Sequence, residues 1–135
     1  MIAPHRIGFL CRATIFLAIV GVFGTWRSSG PVSLDGFEGP HNGWLVIIFG
    51  LIALAGVHSV ARGGWLGIIL VVGCGVVMLL TAVEDVVNDG DVLGGSSGWG
   101  VWLTIAASGA LVVVAVYSSV MRLTGSTRAG PTTSP

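Results

Sequence analysis

The fold is decided by GWLVIIFGLIALAGVHSVARGGWLGIILVVGCGVVMLLTAV, residues 43–83. A hydrocarbon core of about 30 Å takes roughly 20 helical residues to cross, and this stretch holds two such runs separated only by Arg62-Gly63. Residues 44–57 and 66–83 are apolar all round, without the alternating polarity of barrel strands. They read as helices, because lipid offers the backbone no partner and each segment must satisfy its own N–H and C=O groups. So short a connection, with Gly63 and Gly64 suited to a sharp turn, makes the pair an antiparallel hairpin. Working outward, the same reading finds two more spans. The four are placed at residues 7–26, 43–61, 64–83 and 99–121. The expected fold is all-α, a polytopic antiparallel bundle of four transmembrane helices.

Composition agrees with a membrane solvent. Of 135 residues, 53% are hydrophobic and only 9% charged, and the mean hydropathy is +0.94. Six Arg, no Lys and six acids sum to zero, which leaves no basic surface for a nucleic-acid backbone.

The charges separate by sign along the chain. Arg6, Arg12, Arg62, Arg122 and Arg128 fall at the N-terminus, in the second-to-third connection or in the tail. Asp35, Glu38, Glu84, Asp85, Asp89 and Asp91 occupy the other two loops, where Arg27 is the exception. By the positive-inside rule both termini and the Arg62-Gly63 turn are cytoplasmic, in the cell membrane, and residues 27–42 and 84–98 face outside. Trp26, Trp44, Trp99 and Trp102 then fall at outer ends and Trp65 at an inner end, as interfacial anchors. The apolar run after Arg12 lacks an A-x-A site and is read as an uncleaved first helix. Residues 122–135 are polar and rich in Pro, Gly and Thr, and are expected to form a disordered cytoplasmic tail.

Lipid does not drive helices together, so their association depends on close packing of small residues and on hydrogen bonds. Stripes at 4,3,4 spacing suggest the seams: Thr14, Ala18, Gly21, Thr25; Val46, Gly50, Ala53, Val57; Gly67, Val71, Cys74, Met78; and Thr104, Ser108, Leu111, Ala115. The outer loops, rich in turn formers, are expected to be irregular, at most a small cap.

Polar groups within or beside the spans are the candidates for chemistry. Arg12 and His58 lie near the cytoplasmic surface, where a snorkelling guanidinium and an interfacial imidazole are the simplest readings. A single intramembrane His makes no bis-histidine haem site. Cys11 is expected near the inner face and Cys74 at mid-membrane, too far apart in depth for a disulfide. Glu84, Asp85, Asp89 and Asp91 form the richest acidic cluster, a weak cation candidate. Aligned as an EF-hand it fails, because Val87 takes a ligand position and Ser96 replaces the terminal Glu. No nucleophile and base lie at one depth, so no catalytic set, metal site or cofactor is expected.

Small multidrug transporters carry a Glu in their first helix, where this chain has only Arg12, and fluoride channels favour a balanced charge that this chain lacks. With Arg without Lys, abundant Gly, Val and Ala, a Gly/Asp-rich first outer loop ending in Gly43-Trp44 and the Arg62-Gly63 turn, the chain resembles small four-helix membrane proteins of actinobacterial type. That resemblance implies a fold and no activity. The expected role is a non-enzymatic accessory or scaffolding subunit, with the bilayer and a membrane-protein partner or further copies as its surroundings. The alternative is a small homo-oligomeric channel or transporter, its polar path lined by Thr81, Ser108, His58 and Tyr117.

Overall fold

The structure is a computed structural model that describes residues 4–29, 31–37, 42–61, 64–89 and 96–126. Four helices are present: α1 (Pro4–Val22), α2 (Gly43–Ala61), α3 (Trp65–Asp89) and α4 (Trp99–Ser126). Between them lie three short strands, β1 (Thr25–Ser29), β2 (Val32–Asp35) and β3 (Ser96–Ser97). Helices α2, α3 and α4 are each long and apolar enough to cross a membrane. In the helix packing α1 touches α2 and α4, and α3 touches the same two.

The strands correct the expectation of a purely helical chain. They form one antiparallel sheet in the order β2-β1-β3, so the connections on either side of α2 and α3 meet at one end of the molecule. Ser29 pairs with Val32, Ser28 with Ser33 and Arg27 with Leu34, while Arg27 and Ser28 also pair with Ser97 and Ser96. The register slips between Thr25 and Arg27, and such an irregularity re-aims the side chain it contains. That side chain is Trp26.

Three span boundaries move for local reasons. Helix α1 stops at Val22, four residues early, where Phe23 and Gly24 donate to Val20 and Gly21 in a tightened last turn. Helix α3 runs on to Asp89 instead of ending at Val83, since Val86 packs onto the core formed by Val22, Trp26 and Val101. Helix α4 extends to Ser126, which takes residues 122–126 out of the expected disordered tail. The tail from residue 127, the Arg62-Gly63 turn, Glu38, His41, Asp91 and Arg128 lie outside the described residues.

Every member of the second, third and fourth expected seams is buried. On α1 the buried stripe is instead Cys11, Ile15, Ala18 and Val22, while Thr14 is half-buried and Thr25 has left the helix. The tightest approach joins α1 to α4. A methyl group added at Gly21 would stand 2.8 Å from the Gly100 carbonyl oxygen, and one added at Gly100 would stand 2.5 Å from that of Gly21. Only glycine admits this contact of backbone on backbone. Gly56 and Gly67 bring α2 and α3 together in the same way.

Candidate functional site

The two ends of the helix assembly carry different chemistry. At the strand end, Trp26 is only 2% exposed, and its Nε1 donates to the Gly21 carbonyl oxygen at 2.9 Å. That carbonyl belongs to the last turn of α1, where it also accepts from Gly24 N–H at 3.1 Å. Trp26 is therefore a core residue that caps α1, which corrects its assignment as an interfacial anchor. The other four tryptophans, Trp44, Trp65, Trp99 and Trp102, are each more than half exposed.

Close backbone contacts seal this end. Gly36 N–H donates to Val22, Gly43 to Gly36, and Gly98 to Trp26 at 2.7 Å. The Asp35 carboxylate accepts from Phe37 N–H at 2.8 Å, and the Phe37 ring lies 5.4 Å from that of Phe23. Both Gly-Trp helix starts, Gly43-Trp44 and Gly98-Trp99, thus begin on backbone carbonyls of the segment following α1. Arg27, the odd cation of the outer loops, is 6% exposed in the central strand. Neither it nor Asp85 is without a partner.

The three acidic candidates among the described residues are helical. Glu84, Asp85 and Asp89 lie on the last turns of α3, with Glu84 exposed and Asp85 half-buried. Among the described residues no group of three or more His, Cys, Asp or Glu is placed to hold a metal.

The four residues of the expected polar path do not converge within one chain. Thr81 and Ser108 are buried, whereas His58 and Tyr117 lie exposed. Moreover the buried hydroxyls are engaged with their own helices: Thr81 donates to Val77 and Ser108 to Thr104 at 2.6 Å. Thr104 is the cross-helix case. Its hydroxyl donates to Gly100 at 3.0 Å, with the Ala18 carbonyl of α1 as a second acceptor at 3.3 Å. Large side chains, Ile15, Met78 and Leu111, fill the interior at no exposure.

Cys11 and Cys74, expected at different depths, are both free and share one buried cluster with Ile15, Val57 and Leu111. Counting from the helix starts explains this: Cys11 stands seven residues into α1 and Cys74 nine into α3, about 10.5 and 13.5 Å at 1.5 Å per residue. Basic residues gather at this turn end. Arg12 on α1 and His58 on α2 lie exposed, and Arg122 of α4 donates to the Val60 carbonyl oxygen of α2 at 3.0 Å. A guanidinium is well placed there, because the last carbonyls of a helix are unpaired and carry partial negative charge.

The sheet was the main feature missed. Its signal is TWRSS-GP-VSLD, two strand-like runs around a two-residue Gly-Pro connection, which is a hairpin spacing. Compared with protein families, with curated proteins and with solved structures, the chain matches none.

Proposed function

We propose that the chain is an integral membrane protein of four spans, and that it serves as a non-enzymatic accessory or scaffolding subunit of a membrane complex. One observation carries the reading: the outward faces of the helices are as apolar as the interior, and small residues line the contacts between helices. Phe9, Phe16, Leu51, Leu66, Leu80 and Val113 point outward, each more than half exposed, while Gly21, Gly67, Gly100, Thr104 and Ser108 lie inside. A water-soluble chain rarely exposes so large an apolar surface, whereas lipid accepts it and leaves association to small residues.

The nineteen residues of α1 span about 28 Å at 1.5 Å per residue, close to the hydrocarbon thickness. It is thereby the fourth span. Helix α3 is longer than the core needs, so its Glu84, Asp85 and Asp89 project beyond it together with the sheet. The Arg distribution orients both termini and the Arg62-Gly63 turn to the cytoplasm of the cell membrane, with the sheet outside. A filled interior supports a packing role, in which the outward faces meet lipid and partner helices. No nucleic acid or cofactor enters this reading.

Two experiments test it. In a background with Cys11 and Cys74 replaced by Ala, Ser33→Cys is expected to react with a membrane-impermeant thiol reagent on intact cells, and Thr124→Cys only after lysis. The reverse pattern would invert the topology. Mild-detergent extraction followed by native mass spectrometry is expected to recover a stoichiometric foreign membrane protein. Recovery of a homo-oligomer alone would replace the subunit reading with the channel one.

A further inference from the structure

The membrane reading, on which this inference rests, leaves two ionisable side chains facing lipid on neighbouring helices, and their positions are related. Gly50 of α2 packs against Ile15 and Ile19 of α1, so that a methyl group added there would stand 3.1 Å from the end of Ile19. Arg12 stands three residues before Ile15 and seven before Ile19, which puts it on the same edge of α1. His58 stands eight residues after Gly50, along the row Gly50, Leu54, His58 of α2. Measured from the Gly50 contact towards the turn end, Arg12 is about 7.5 Å along and His58 about 12 Å at 1.5 Å per residue.

The two side chains therefore flank one groove between α1 and α2, within about one helical turn in depth. Leu54 lies on the floor, packed against the cluster that contains Cys11 and Ile15. From the polar end an apolar path runs towards mid-membrane: Phe16, one turn above Arg12, and Leu51, two turns above His58, are both more than half exposed. Neither α1 nor α2 contains an Asp or Glu, so no carboxylate on either helix competes for Arg12.

We infer that this groove binds one phospholipid with an anionic headgroup. Its phosphate sits between Arg12 and His58, and one acyl chain lies along Phe16 and Leu51. The chemistry is that of a guanidinium making charge-assisted hydrogen bonds to phosphate oxygens at the headgroup level, with an imidazole N–H as a second donor. A second copy or a partner helix in the groove would bury Arg12 against an apolar surface, which costs more than a lipid phosphate does.

The test uses the full chain in mixed micelles with phosphatidylglycerol or phosphatidylcholine, read by native mass spectrometry. Wild type is expected to retain one phosphatidylglycerol after the detergent is stripped, in preference to phosphatidylcholine. Arg12→Gln should lower that retention about five- to tenfold, and His58→Gln by less. Arg12→Lys should restore most of it, whereas Arg6→Gln, about a third of the way around α1, should leave it unchanged. Equal retention of the two lipids by wild type, or equal effects of Arg12→Gln and Arg6→Gln, would overturn the site. Displacement by inorganic phosphate alone would overturn the role given to Phe16 and Leu51. Release of the chain from membranes by alkaline carbonate would instead overturn the membrane reading itself. A carbonate-resistant chain without headgroup preference refutes only the lipid site.

Discussion

The strand end and the turn end close the same four helices by different means. At the strand end two long connections meet in a sheet, and the buried indole of Trp26 packs into a core cluster drawn from all four helices. Polar backbone is satisfied there by backbone: Gly36, Gly43 and Gly98 each donate to a carbonyl of a preceding segment. At the turn end three residues separate α2 from α3, Gly64 N–H donates to the Ser59 carbonyl oxygen at 3.1 Å, and the Arg122 side chain reaches the next carbonyl, that of Val60. A long connection can shield its own polar groups with a ladder. A short one supplies fewer backbone donors to the helix end, and a guanidinium on a long stem complements the remaining carbonyl.

If that contrast is sound, the strand end should be far more sensitive to side-chain truncation. Trp26→Ala removes a buried ring and one of the two hydrogen bonds to the Gly21 carbonyl, so a loss of about 3–5 kcal/mol is expected in detergent unfolding. Trp44→Ala, at an exposed position on the same end, is the control. Equal losses from the two would mean that the cap contributes nothing beyond lipid anchoring.

Next in size is Gly100→Leu. Its side chain would have to displace backbone of Gly21 and Gly24, and an overpacking cost of about 1–3 kcal/mol or more is expected, seen as loss of a monodisperse peak on gel filtration. Gly109→Leu on the same helix meets open space and should behave as wild type. Thr104→Val keeps the shape but deletes the link to Ala18, and membrane hydrogen bonds of this kind average about 0.6 kcal/mol. A thermal scan showing a drop as large as that of Gly100→Leu would shift the credit from packing to hydrogen bonding. The smallest effect belongs to the turn end: Arg122→Gln should cost about 0.3–1 kcal/mol, measured as a small decrease in melting temperature. An effect rivalling that of Trp26→Ala would erase the distinction between the two ends.

Legibility followed how local each determinant is. The seams of α2, α3 and α4 could be read because small residues at 4,3,4 spacing mark where helices approach. On α1 the same rule found Gly21, which faces α4, but missed Ile15 and Ile19, which face α2. A stripe of small residues identifies one contact of a helix that has two. The sheet was overlooked because Gly, Ser, Pro and Asp were read as loop formers, although Trp26 and Val32–Asp35 have strand character. The last turns of α3 were missed because the span was drawn to stop at its first charge, Glu84, and a helix need not end where the membrane does.

What the sequence alone determined is the number and length of the apolar runs, the separation of charge between their ends, and the helix hairpin enforced by Arg62-Gly63-Gly64. These follow from transfer of side chains and backbone into lipid, which each segment meets by itself. Only the tertiary structure decided that Trp26 turns inward, that the outer connections pair as strands, and that Thr104 of α4 reaches the Ala18 carbonyl of α1. Each of these depends on groups far apart in the chain meeting at one place, and no local pattern records where its partner lies.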